Sequence, residues 1–141
     1  MAQEMYKHDA LLHLLWQVAI SDYTGSDLVA DIEDEYYEKV KKAEGITISF
    51  SEINDKMNEL LPEIGKDGII NEALKATNGC GREWRTKVYG YMWRMAIKSG
   101  DYDEFTGSNV TTNEYALIKK AGKYFGITED EDDKAMELTR L

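Results

Sequence analysis

One cysteine, one proline and two histidines in 141 residues leave little of the equipment on which many small domains depend. Cys80 alone cannot close an internal disulfide, and a lone thiol does not define a redox compartment. It stands between glycines in "NGCG", while His8 and His13 lie five apart near the amino terminus, so no nucleophile and base are paired. No glycine-rich phosphate loop or dinucleotide fingerprint is present. Basic residues are also scarce: 17 Lys and Arg face 27 Asp and Glu, for a net charge of −10. That deficit argues against nucleic acid, because binding a phosphate backbone requires a basic excess that releases counterions. No apolar run approaches the roughly 18 residues of a membrane span. The stretch "MAQEMYKHDALLHLLWQVAI" is too short in its apolar part, and lacks the cleavage pattern, for a signal peptide. A cytoplasmic protein without a membrane span is expected.

What is there reads as helix. Leu11, Leu14, Leu15, Val18 and Ala19 repeat at helical spacing, and Leu12, Trp16 and Ile20 widen the apolar arc. Only His13, Gln17 and Ser21 form a narrow polar stripe, fit for a wetted edge or an interhelical hydrogen bond, so residues 4–21 predict a nearly enclosed helix. A second helix over 28–44 ends at Gly45. A third starts at "SFSE", where Ser49 and Glu52 have capping-box spacing, and closes near Pro62. A short helix follows at 68–77, then the breaker "NGCG". Residues 82–98 predict a long helix with Trp84, Val88, Met92, Met95 and Ala96 on one side and Lys87, Arg94 and Lys98 on another. Two short helices remain, capped by Thr111 with Glu114 and by Thr128 with Glu131, the second opening on the acids "EDEDD". "ITISF", residues 46–50, alternates like a strand but reads as a loop and cap. The three Trp are expected in the core. Tyr36, Tyr37, Tyr89, Tyr91 and Tyr102 are harder to place, and some are candidates for a partner surface. The chain is expected to be a single all-α domain over 1–141.

The pattern repeats. "LLWQVAISD" at 14–22 matches "YMWRMAIKS" at 91–99, with Trp16 on Trp93, Ala19 on Ala96 and Ile20 on Ile97, 77 residues apart. Beyond this the separation is 81: Asp22 falls on Asp103, Glu33 on Glu114, and "GIT" at 45–47 on "GIT" at 126–128. A four-residue insertion in the second loop accounts for the change. The expected architecture is a compact bundle of about seven helices built from two pseudo-repeated halves, roughly 4–47 and 82–128. Each half is a Trp helix, an acidic loop, a second helix and a "GIT" exit.

The acidic loops are where chemistry would reside. Six acids between Asp22 and Glu35, and the run "SGDYDEFTGSNVTTNE" at 99–114, contain no Lys or Arg. Asp22 to Glu33 and Asp103 to Glu114 each span the first-to-last ligand separation of an EF-hand. The rest of that pattern fails. Its turn glycine is replaced by Asp27 and Ser108, and its third position in the second loop is Phe105. A looser oxygen-donor site is compatible with such loops, and a bound cation would relieve their self-repulsion. Equally, acids at helix starts stabilise the macrodipole unaided, and Glu114 has the position of a capping partner for Thr111.

The chain resembles the tellurite-resistance TerB-like family. The resemblance lies in its two matching halves, in "AISD" and "AIKSGD" at the ends of the Trp helices, in a Glu opening the next helix, and in "ALIKKAGKYFGIT" at 116–128. It implies a compact all-helical domain of bacterial tellurite-resistance and stress-response systems, without enzymatic activity. It also implies a divalent cation (calcium, magnesium, manganese or zinc) held by loop acids. On this chain those are Asp22, Glu33, Asp103 and Glu114. Asp101 substitutes where Ser99 stands before Gly100. The alternative expectation is a metal-free helical module that binds another protein.

Overall fold

The computed structural model describes residues 6–20, 27–99 and 112–139, with side chains except at 19–20, 27–34, 50, 97–99 and 112–114. Among the described residues there are six α-helices and no strand: α1 (Lys7–Ile20), α2 (Asp27–Glu44), α3 (Phe50–Asn78), α4 (Arg82–Ser99), α5 (Thr112–Phe125) and α6 (Glu129–Leu138). The all-helical class is as the periodicity predicts. Pro62 does not close its helix as expected. Helical geometry instead breaks at Gly65 (φ 71°, ψ 175°), a conformation open essentially to glycine alone. α3 is thus two helical segments joined at a kink, and the two helices expected over this stretch meet at Gly65 rather than at Pro62.

α1 is enclosed on nearly every side. Ala10, Leu11, Leu12, Leu14, Leu15 and Val18 are wholly inaccessible, and the polar stripe is buried as well: Asp9, His13 and Gln17, spaced four apart, are 8%, 1% and 1% exposed. The stripe is therefore no wetted edge. It faces α3, where Lys56 Nζ donates to Asp9 Oδ2 at 2.8 Å and Gln17 Nε2 donates to Met57 Sδ at 3.8 Å. α3 contributes Ile53 and Met57 before its kink, and Ile69, Ile70, Ala73 and Leu74 after it.

α4 is the hub. It packs on all five other helices, and Val88, Tyr91, Met92, Met95 and Ala96 supply its buried surface. Two of its cations, Lys87 and Arg94, are tied to neighbouring helices. Lys87 Nζ pairs with Glu44 of α2 at 2.9 Å, beside the Tyr91 hydroxyl, which donates to the same carboxylate oxygen at 2.7 Å. Arg94 donates through Nε to Thr139 Oγ1 at 2.9 Å and through Nη2 to the Met136 carbonyl, which places a cation at the carboxyl end of α6. α6 lies close because Gly90 has no side chain: a Cβ there would meet the Ala135 carbonyl oxygen at 2.4 Å.

Two sequence assignments change on packing. Trp16, Trp84 and Trp93 are each half-buried rather than enclosed. Tyr36, Tyr37 and Tyr91, by contrast, are 1–4% exposed and belong to the core, not to a surface; Tyr89, at 6%, is buried as well but reaches the lining of a groove, and Tyr102 lies outside the described residues. Wide rings on crowded helices can satisfy helical spacing from the shoulder of a core, which periodicity does not distinguish from its centre.

The two "GIT" exits have the same geometry. Gly45 and Gly126 both take φ 67°, and Ile46 and Ile127 donate back to the Lys41 and Gly122 carbonyls at 2.8 and 3.0 Å. Each is a helix terminus closed by a left-handed glycine, with the following isoleucine turned onto the core. The next helices then start as expected. Ser49 Oγ accepts the Glu52 amide at 3.2 Å, and the Glu131 carboxylate accepts the Thr128 amide at 3.0 Å and the Arg82 guanidinium at 2.6 Å.

Candidate functional site

Of the proposed metal ligands, two lie on described helices. Asp22, Asp101 and Asp103 lie outside the described residues, as do Thr111 and the loop at 100–111. Glu33 stands in the second turn of α2 and Glu114 in the first turn of α5; their side chains are not among those described. What can be followed is the course of the helices that carry these acids. Glu44, the last residue of α2, meets Lys87 near the start of α4, while Tyr36, two turns earlier in α2, lies near Arg94, two turns later in α4. α2 thus runs antiparallel to α4. α5 does the same, with Gly122 against the Tyr89 ring and Tyr115 against Trp93. The amino ends of α2 and α5 are both directed toward the carboxyl end of α4, so the helix starts that follow both acidic segments share one end of the bundle. Glu35, the last of the first acidic run, forms an exposed pair with Lys39 at 3.4 Å. Among the described residues no three His, Cys, Asp or Glu side chains converge as a metal site would require.

Two other features hold polar chemistry. The first is the buried stripe of α1. Both nitrogens of His13 and Gln17 Oε1 lack a hydrogen-bond partner among the described residues. Burial is the main reason that the His13 pKa falls below its ordinary value, with the nearby Asp9 carboxylate opposing the fall and Lys56 adding to it. A cleft of about 600 Å³ lies at the other end of this helix, with Lys7, Lys75, Cys80 and Tyr124 in its walls. The Cys80 thiol there is exposed and donates to the Ala76 carbonyl at 3.2 Å.

The second feature is a groove of about 310 Å³ between α4, α5 and α6. Tyr89 and Trp93, one turn apart on α4, meet edge to face with centroids 6.4 Å apart, and Tyr115 of α5 meets Trp93 in the same manner at 6.0 Å. Lys119 Nζ stands 5.4 Å from the Tyr115 ring centroid, and Asp132 and Asp133 of α6 complete the walls. Burial pushes the Tyr89 hydroxyl up to about 12, with the Asp132 carboxylate adding to the rise. Sequence reasoning missed this groove, because its walls come from three helices. The visible signal was only the four-residue spacing of Tyr89 with Trp93 and of Tyr115 with Lys119.

Comparison with models of known families, with curated proteins and with solved structures gives no match for this chain.

Proposed function

We propose that the chain is a non-enzymatic TerB-like domain that holds a divalent cation through the acids preceding and opening α2 and α5, in a bacterial tellurite-resistance or stress-response system. The observation that carries this reading is the direction of the helices: the amino ends of α2 and α5, each preceded in the sequence by an acidic segment, run to the same end of α4. The matching glycine exits at Gly45 and Gly126 support two equivalent halves. The donors would be Asp22 and Glu33 from one half and Asp101, Asp103 and Glu114 from the other. All are carboxylates, and an all-oxygen set suits calcium, magnesium or manganese better than zinc, which favours His and Cys. What the cation would contribute is neutralisation of these carboxylates.

The test is calorimetric titration of chelator-stripped protein with calcium, magnesium, manganese and zinc, paired with melting curves. A cation bound only to the folded chain stabilises it by about 2.7 kcal/mol at a hundredfold excess over Kd. Asp22→Asn together with Asp103→Asn should remove most of that gain and leave the stripped protein as stable as before, or more so. Glu114→Gln separates ligand from cap, because Gln can still complete a capping box with Thr111 but binds a hard cation poorly. Heat and melting temperature unchanged by every metal would overturn the proposal. The second reading, a metal-free module for a protein partner, is favoured by one observation: Tyr6, Tyr115 and Tyr124 are 58%, 41% and 46% exposed. Under that reading no metal raises the melting temperature, and the Asp substitutions instead weaken capture of the partner.

A further inference from the structure

We infer that the groove between α4, α5 and α6 binds an ammonium headgroup. Three aromatic rings from two helices, Tyr89, Trp93 and Tyr115, form one wall, with successive rings edge to face at 6.4 and 6.0 Å. An aromatic face carries the negative part of the ring quadrupole and attracts organic cations. The opposite wall brings Asp132 and Asp133, neither of which forms an ion pair among the described residues. The chain already places a cation of its own here, since Lys119 Nζ stands 5.4 Å over Tyr115. Lys119 is exposed on a long flexible stem, so it can withdraw when a better-fitting cation arrives.

The other ligand classes fit less well. Two carboxylates repel an anion. A metal ion needs several converging oxygens, and no three His, Cys, Asp or Glu side chains converge here among the described residues. A neutral apolar group would leave the two carboxylates uncompensated at its edge. At about 310 Å³ the groove is at the small end of ligand pockets, sized for a headgroup rather than a nucleotide or a sugar chain. None of its residues belongs to the proposed metal site, so the two readings stand or fall separately.

The headgroup could belong to a free methylated amine or to a methylated lysine of another protein. The probes are choline, its uncharged isostere 3,3-dimethyl-1-butanol, and N-acetyl-trimethyllysine amide, each followed by tryptophan fluorescence of the full chain. Choline should produce a saturable change that the uncharged isostere does not. Trp93→Phe, checked for native helical circular dichroism, should abolish the fluorescence signal. Asp132→Asn with Asp133→Asn, both at exposed positions, should weaken binding about tenfold, and Lys119→Met should tighten it by removing the internal competitor. Tighter binding of the lysine derivative than of choline assigns the site to a protein side chain, and equal or weaker binding assigns it to a free amine. No saturable response to either cation, an equal response to the uncharged isostere, or unchanged affinity in the double Asn variant overturns the inference.

Discussion

His13 is the residue at which burial and chemistry conflict most openly. It is 1% exposed, both ring nitrogens lack partners among the described residues, and burial holds its pKa below the ordinary 6.5. In the folded chain it therefore stays neutral at pH values where the unfolded chain takes up a proton. Below about pH 6.5 the unfolded state binds more protons, so stability falls as the pH drops and levels off above pH 7. His8, whose pKa is also lowered, adds in the same direction from a more exposed position. His13→Met keeps the volume and removes the proton site. The melting temperature of that variant should change less between pH 7 and pH 5.5 than that of the parent. It should equal or exceed the parent at pH 7, because an unpartnered polar group has been removed from the interior. Parallel melting profiles for the two proteins across that range would show that His13 is not the group responsible. The stripe also shows what the sequence could not reveal. Asp9, His13 and Gln17 are spaced as a polar face, and only the position of α3, with Lys56 and Met57, decides that the face turns inward.

At the level of the helix, starts and stops were the most legible feature. Ser49, Thr128 and the two "GIT" glycines all act where local chemistry places them, because caps satisfy backbone groups within one turn and need no distant partner. The energetic consequence can be measured. Nothing lies within 4 Å of a Cβ built on Gly45 or Gly126, so Gly45→Ala and Gly126→Ala introduce no clash, only a left-handed alanine. Each should cost about 1 kcal/mol in denaturant unfolding. Gly79→Ala is the control: its φ of −74° is ordinary, and it should cost nothing. Equal losses at all three positions would mean that the exits are not set by backbone conformation. The exact site of the break in α3 was less legible. A proline reads as a terminus, yet Pro62 sits within α3 and the break comes three residues later at Gly65, so a local rule located the disturbance but not its form. The groove was invisible for a different reason. Tyr115, Lys119, Asp132 and Trp93 meet only after three helices have packed, and no spacing along the chain encodes that meeting.

For the molecule as a whole, charge opposes compaction. A net charge of −10 on 141 residues repels itself most where acids concentrate, and two of the cations are already committed, Lys87 to Glu44 and Arg94 to the end of α6. Raising sodium chloride from about 20 mM to 300 mM shortens the screening length severalfold and should raise the melting temperature of the stripped protein. A fall would indicate that attractive pairs such as Lys56 with Asp9 outweigh the repulsion. Resistance to opening should also vary along α3. Its first segment is fastened to α1 through Ile53, Met57 and Lys56, and its second is held by Ile69, Ile70, Ala73 and Leu74, while Leu61, Pro62 and Glu63 between them are exposed. With the ladder interrupted at Gly65, the two segments have no continuous set of backbone hydrogen bonds through which to open together. Native-state amide exchange under rising denaturant should resolve them as two cooperative units with different opening free energies, the amides nearest Gly65 exchanging first.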